Sequence, residues 1–388
     1  MRILFCDYEY PPLGGGGGVF NLLMAEELAK HHDVTVLTSQ APGYPKEVME
    51  NGVRVIRVPI MGRTQQAAAS LVSMFAYIPM AIKEGKKLLA REKFDVINTY
   101  FVLPTGPAGD ALSRASGLPN VLTVLGGDIY DPSKATSPHR NFLLRAWVRK
   151  LLRNADSVTG ESENILKYMR QFYTPEIPGE LIPLGIKRPT EGTASREQYG
   201  FSESDTLFVS VGRLVSRKAA DQLIAMIKAH EDSSVHLLLI GDGPQQQFLL
   251  DKARELGIEG QIHFMGRVDE EDKFRLLRMS DIFASSSQHE GFGLVFIEAM
   301  ACGLPVVCYN EGGQTDFLQD NVTGYVVPLN DRTRFIKGCI TLTNDKALRS
   351  KTGEENLRRA EEGYFIDHSA KSYEVLFEEV IRKHKDKA

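Results

Sequence analysis

The chain has 388 residues, 43% of them hydrophobic and 25% charged, with a formal net charge of −4. That length exceeds one hydrophobic core and predicts two domains, and the composition excludes long disorder. No uninterrupted apolar run reaches the roughly 18 residues of a bilayer span, and Met1-Arg2-Ile3-Leu4-Phe5-Cys6-Asp7 lacks the apolar core of a signal peptide. Cys6, Cys302, Cys308 and Cys339 share no paired spacing. Buried free thiols in a reducing cytoplasm are therefore expected over metal ligands. No basic stripe interleaved with aromatics appears, so no nucleic-acid partner is expected.

From the N-terminus, β-branched runs at 3–8, 34–38, 53–58, 96–99, 121–124, 157–160 and 181–183 alternate with helical stretches such as 20–31, 71–92 and 142–153. Residues 187–204, rich in Pro, Gly, Thr, Ser and charge, read as a linker. A second series follows, with strands at 207–211, 235–240, 262–265, 282–284, 306–307 and 325–327. Helices at 219–230, 245–256, 269–279 and 294–301 separate them, and the tail from Asp331 is mostly helical. This alternation predicts an α/β chain of two doubly wound Rossmann-like domains facing a cleft. The expected divisions are 1–187, a linker at 188–205, 206–364, and a C-terminal helix at 365–388 that packs back on the first domain.

The first strand leads into Tyr10-Pro11-Pro12-Leu13 and then unbroken glycine from Gly14 to Gly18. Such a run is costly to order, so its place between a first strand and a first helix points to a loop where backbone approaches a ligand, more than to a flexible linker. The dinucleotide fingerprint G-x-G-x-x-G does not fit. From every start between Gly14 and Gly16 the third glycine position falls on Val19, Phe20 or Asn21. The second strand also ends in Thr38-Ser39 instead of an acid for a ribose.

In the second half, Val211-Gly212-Arg213-Leu214-Val215-Ser216-Arg217-Lys218 ends a strand in Gly-Arg with a lysine five residues on, at a helix start. That layout brings two cations and a helix N-terminus to one phosphate pair. The next two strands end in the tight turns Gly241-Asp242-Gly243-Pro244 and Met265-Gly266-Arg267-Val268. Glu290 and Glu298 then stand eight residues apart, a loop carboxylate and a helix carboxylate separated by Gly291-Phe292-Gly293. Two acids beside such a helix start can accept hydrogen bonds from the hydroxyls of a sugar and a ribose; solvated surface charge is the alternative.

Taken in order, Gly212-Arg213 with Lys218, Gly241-Asp242-Gly243-Pro244, Phe264-Met265-Gly266, Glu290 and Glu298 with Phe292-Gly293, and Gly303-Leu304-Pro305-Val306 resemble the family-four retaining glycosyltransferases of GT-B fold, the glycosyl transferases group 1. The likeness covers nearly the whole chain and is strongest over 205–330. It implies a metal-independent enzyme, with no cofactor, that moves a sugar from a nucleotide-sugar donor to a sugar, lipid-linked or small-molecule acceptor in glycan, glycolipid or polysaccharide synthesis. A UDP-sugar is the expected donor, with GDP- and ADP-sugars as alternatives. By resemblance, Arg213 and Lys218 neutralise the diphosphate, and backbone around Phe292, Gly293 and Leu294 holds phosphate or sugar. Glu298 takes the ribose hydroxyls, Glu290 those of the transferred sugar, and Val268 meets the base. Gly241 lines the donor site, and Gly15, Gly16 and Gly17 approach the phosphate from the other domain. The expected catalytic set is Glu290, Arg213, Lys218 and Asp128, with no covalent nucleophile. A GT-B epimerase or phosphorylase and a non-catalytic nucleotide-sugar-binding protein are the rival readings.

The resemblance departs at one position. Where the family carries a histidine before a Gly-x-Asp turn, this chain reads Leu125-Gly126-Gly127-Asp128. Asp128 is either a contact to sugar or acceptor or a turn cap. Residues 140–153 carry Arg140, Arg145, Arg149, Lys150 and Arg153 among apolar residues with no acid. They form either a domain helix or a peripheral contact with the inner face of the membrane for a cytoplasmic protein. Acceptor choice is expected in the loops at 63–70 and 130–139.

Overall fold

The computed structural model describes residues 1–60, 71–132 and 136–387. The acceptor loop expected at 63–70, and the part of 130–139 at 133–135, lie outside the described residues. The chain divides into two compact units, Met1–Ile186 with Ile366–Ala388, and Lys187–Phe365.

The first unit is built on a sheet ordered β3-β4-β2-β1-β5-β6-β7-β8. Its strands are β1 (Arg2–Asp7), β2 (Asp33–Ser39), β3 (Glu47–Glu50), β4 (Val53–Val58), β5 (Val96–Tyr100), β6 (Asn120–Val124), β7 (Ser157–Gly160) and β8 (Glu180–Leu181). Every pairing is parallel except β3 with β4. Near-continuous apolar strands are what a parallel sheet covered on both faces requires. The helices are α1 (Gly16–Leu28), α2 (Leu71–Leu89), α3 (Gly106–Ser116), α4 (Phe142–Asn154) and α5 (Glu163–Phe172). Leu4, Cys6 and Tyr8 pack with Tyr77 and Ala81 of α2 and Leu112 of α3 in one cluster. Leu122 and Val124 join Val148, Leu151 and Leu152 of α4 and Ile165 of α5 in another.

Two local differences from the sequence reading have physical causes. Helix α1 begins at Gly16, not at residue 20, so part of the glycine run forms its first turn. Its N–H groups need no intrahelical partner there, which lowers the cost of glycine. Strand β3 has alternating exposure, and Asn51 and Gly52 in its turn to β4 both have positive φ, 49° and 82°. Asn-Gly is the characteristic pair of such a hairpin.

The second unit carries a parallel sheet ordered β11-β10-β9-β12-β13-β14. Its strands are β9 (Thr206–Val211), β10 (Val235–Ile240), β11 (Ile262–Gly266), β12 (Ile282–Ser285), β13 (Val306–Tyr309) and β14 (Gly324–Val327). Its helices are α6 (Asp221–Lys228), α7 (Gln246–Glu255), α8 (Glu270–Met279), α9 (Leu294–Ala301), α10 (Arg332–Asn344) and α11 (Lys346–Gly363). Residues 188–205 carry specific contacts with this unit: Ala194 N donates to Arg275 O at 3.2 Å, and the Arg196 guanidinium donates to Asp281 at 2.9 Å.

Helix α12 (Ile366–Lys387) returns to the first unit. Ile366 N donates to Ile186 O at 2.9 Å and Ser369 Oγ to Pro183 O at 2.8 Å. The fully buried Tyr373 brings its hydroxyl to Thr123 Oγ1 at 2.9 Å and Thr159 Oγ1 at 3.1 Å, on β6 and β7. Tyr373→Phe leaves these buried hydroxyls short of a partner, and urea denaturation should show a loss of about 1 kcal/mol.

Candidate active site

In the second sheet the strand order reverses between β9 and β12, which opens a crevice at their carboxyl ends. Backbone contacts stitch the neighbouring loops together. Gly212 N donates to Ile240 O at 2.9 Å, Gly241 N to Gly266 O at 2.7 Å, and Leu214 N to Asp242 O at 2.7 Å. A Cβ on Gly241 (φ +131°) would collide with the Gly212 carbonyl, and one on Gly243 (φ +157°) with the Leu214 carbonyl. The approach of loop to loop therefore requires glycine at 241 whatever else that residue touches.

Beyond Gly212 the chain makes a tight turn, Ser216–Lys218, that ends with Ala219 in the left-handed region (φ 47°). The segment after β12 pins it: Ser286 Oγ donates to the carbonyls of Lys218 at 3.1 Å and Ala219 at 2.8 Å, and Gln288 N donates to Arg217 O at 2.9 Å. The turn thereby aims two cations at buried Glu290. The Lys218 ammonium donates to Glu290 Oε1, while the Arg217 guanidinium reaches Oε2 at 3.4 Å and also donates to the His289 carbonyl. Burial pushes the Glu290 carboxyl up, but Lys218 and then Arg217 outweigh it and hold it at about 2. Gly313 N donates to Glu290 O at 3.0 Å, and a Cβ on Gly312 would strike that same carbonyl.

Of the two cations expected from sequence, Lys218 meets Glu290. Arg213 is exposed and makes no ion pair among the described residues. Arg217 was missed, although Ser-Arg-Lys at the head of a helix held the signal: consecutive residues of a tight turn can both reach inward.

Helix α9 starts from Gly293 (φ +93°), where a Cβ would run into the Phe296 ring, and no side chain among the described residues caps it. Its first N–H groups thus carry partial positive charge suited to an anion. Phe292 is buried and its ring packs on Phe317 with centroids 5.1 Å apart, so backbone is what position 292 can offer. Glu298 lies buried on α9, where Lys273 of α8 donates to Oε1 at 2.8 Å and to Glu270 Oε1 at 2.9 Å. Burial raises the Glu298 carboxyl against the pull of Lys273. Its Oε2 is buried with no hydrogen-bond partner among the described residues, an acceptor that a hydroxyl would satisfy. Lys273 also escaped the sequence reading, since nothing in the spacing links α8 to α9. Half-buried Val268 stands between β11 and α8, beside the cap residue Asp269.

In the first unit the order reverses between β1 and β5. Gly15 and Gly16 are exposed, and a Cβ on Gly15 would meet nothing within 4 Å. A Cβ on Gly17, by contrast, would stand 2.8 Å from Phe101 Cζ. Packing alone accounts for glycine at 17. Asp128 accepts from Val102 N at 2.6 Å and Leu125 N at 3.0 Å, so it joins the loop after β5 to the loop after β6. Burial raises its carboxyl to about 7, against backbone N–H groups that favour the anion. This is the turn-holding geometry; Leu125 is buried beside it.

Comparison with known proteins follows the same division. Residues 15–185 match the family described as Glycosyl transferase 4-like domain, and residues 192–359 that described as Glycosyl transferases group 1. The chain is 26% identical over 387 residues to N-acetyl-alpha-D-glucosaminyl L-malate synthase of Bacillus anthracis, spanning 97% of each protein. It is 25% identical over 347 residues to GDP-mannose-dependent alpha-(1-6)-phosphatidylinositol monomannoside mannosyltransferase of Mycolicibacterium smegmatis, with 85% of this chain and 86% of that one covered. Among solved structures, sucrose-phosphate synthase from Thermosynechococcus elongatus superposes with a TM-score of 0.85 at 22% identity, over 99% of this chain and 100% of that one. Anabaena HepE in complex with UDP-glucose gives 0.74 at 20% identity, over the whole of both chains.

The pairing of Glu290 has a pH signature. Its folded-state value is depressed from 4.5 to about 2, so the stability it contributes is present above about pH 4.5 and is lost as pH falls through about 2. Glu290→Gln should lower stability by about 3 kcal/mol at neutral pH, because two cations lose their counter-charge, and should flatten the acid slope. Urea denaturation of both proteins across that pH window measures the difference.

Proposed function

We propose a retaining transfer from a UDP-sugar for this chain, which belongs to the group 1 glycosyltransferases of GT-B fold. The observation that carries the donor-site reading is the convergence of Lys218, Arg217 and Glu290 beside the uncapped start of α9, at the point where the sheet order reverses. In this reading the diphosphate lies on Lys218, Arg213 and the α9 N–H groups. Glu298 Oε2 accepts from the ribose, Glu290 from hydroxyls of the transferred sugar, and backbone at Val268 meets the base. UDP is favoured by the UDP-glucose bound to Anabaena HepE; the GDP-mannose of the Mycolicibacterium relative keeps GDP as the alternative.

Breaking the anomeric bond builds negative charge on the leaving phosphate and oxocarbenium character on the sugar. Cations and helix N–H groups fixed at the phosphate lower that barrier without a metal ion. The acceptor oxygen attacks from the face the phosphate leaves, and its proton passes to a phosphate oxygen, which gives retention with no covalent nucleophile. Asp128 serves by holding Leu125, whose backbone stands in for that of the family's histidine. The acceptor is a hydroxyl of a sugar, a lipid-linked glycan or a small molecule. The enzyme works in the cytoplasm, with peripheral contact to the inner membrane face through residues 140–153.

UDP titrated by calorimetry should bind Lys218→Ala about tenfold to a hundredfold more weakly than the unaltered protein, because a charge-assisted contact is lost. Glu298→Gln should weaken UDP binding by about tenfold. Equal affinity in both variants would show that the donor lies elsewhere. Release of UDP that depends on an added acceptor separates transfer from mere binding, and the anomeric coupling constant in the product's NMR spectrum reports retention or inversion.

A further inference from the structure

Among the described residues, helices α2 and α4 leave a joined apolar face uncovered. Phe142 and Leu143, the first two residues of α4, are 75% and 64% exposed, and Val72 and Phe75 of α2 are 65% and 54% exposed. The two pairs are one surface. Phe75 stacks on Trp147 of α4, with centroids 6.4 Å apart and planes 8° from parallel, and Trp147 lies one turn below Leu143 on the same helix face. Val72 and Phe75 share a face of α2 by the same spacing. The apolar tip is held in place: Asn141 Oδ1 accepts from Leu143 N at 2.9 Å and Leu144 N at 3.1 Å, so the first turn of α4 is capped.

Cations flank this face, and most of them donate to neutral groups instead of forming ion pairs. The guanidinium of Arg140 donates to Pro132 O, that of Arg145 to Phe172 O and that of Arg149 to Tyr173 O, all neutral carbonyls. Lys150 is exposed and makes no ion pair among the described residues; Arg153 alone on this helix pairs with an acid, Glu176, at 2.7 Å. A soluble protein partner would need matching acids around an apolar pocket. An anionic bilayer supplies both features at once, an apolar layer under a sheet of negative charge.

We propose that the α2–α4 face docks on an anionic lipid surface, with Phe142, Leu143, Phe75 and Val72 entering the acyl boundary and Arg140, Arg145, Arg149 and Lys150 lying among the headgroups. This rests on the peripheral-membrane part of the proposed function and sharpens it: the contact is a two-helix apolar platform, and the basic run of residues 140–153 is its rim. The face lies wholly in the first unit, so donor binding in the second does not depend on it.

The test is co-sedimentation of the full chain with vesicles of phosphatidylcholine alone or with about a third phosphatidylglycerol. The protein should bind the anionic vesicles at least about tenfold better than the neutral ones, and salt should weaken the binding. The double change Phe142→Ser, Leu143→Ser should reduce vesicle binding by about tenfold or more, Phe75→Ser should reduce it further, and Lys150→Glu by about fivefold. UDP affinity should stay unchanged in all of them, which also shows the variants to be folded. Failure of UDP binding in the unaltered protein would count against the donor reading and leave this one standing. Unaltered vesicle binding in the double variant, or equal binding to both vesicle types, overturns the docking face. So does a dimer of the native chain that the double variant turns to monomer with no vesicle binding, because that face would then join two copies.

Discussion

A carboxylate withdrawn from water must be neutralised, and in the second unit that requirement fixes the geometry of the crevice. Glu290 is buried after β12, and its charge is met by two cations from the turn after β9. The two loops that flank the reversal of strand order are therefore bound by one ionic cluster, over and above their backbone contacts. Losing either partner would strand a buried charge, which costs far more than an exposed pair contributes. The pinning of the Ser216–Lys218 turn by Ser286 and Gln288 follows the same logic: cations can neutralise a fixed carboxylate only if their own backbone is held.

Backbone contact is the second constraint. Gly212, Gly241, Gly266 and Gly312 all have positive φ, and at 241 and 312 the nearest atom to an added Cβ is a neighbouring carbonyl oxygen. Glycine there lets loop backbones lie against one another. Gly15 differs, because it is exposed and a Cβ there would meet nothing within 4 Å. Glycine runs of similar appearance thus divide by environment: those packed on protein serve the fold, and those left bare are free to meet a ligand.

The sequence showed most of the architecture, since period and breakers are local properties of a chain. Alternating apolar strands and helices revealed both sheets, and the loop motifs at strand ends marked the crevice. Strand β3 escaped because a polar edge strand has no buried face to advertise it, although Asn51-Gly52 carried the turn signal. In the site, Lys218, Glu290 and Glu298 were legible from type and spacing. Arg217 and Lys273 were not, because what makes them matter is the carboxylate each meets across a tertiary contact. Asp128 was ambiguous for the reverse reason: the same residue in the same turn can point at a ligand or at two backbone N–H groups, and only the fold shows the N–H groups.

The ionic cluster also bears on how a diphosphate would be held. Before any ligand arrives, Lys218 and Arg217 already share the Glu290 carboxylate, so phosphate oxygens must exchange with existing hydrogen bonds instead of meeting bare cations. The gain from those two residues is a difference between two good arrangements, and it is smaller than their charges suggest. Arg213, exposed and without an ion pair among the described residues, has no such prior commitment. With Arg213 in the place proposed for it, three cations against one carboxylate would leave two positive charges in excess, matching the two negative charges of a nucleoside diphosphate-sugar. Arg213 and the α9 N–H groups would then add to what Lys218 and Arg217 give, since those two would divide themselves between phosphate and Glu290. In the proposed donor complex, that division would keep Glu290 ionised and oriented, as an acceptor of sugar hydroxyls must be.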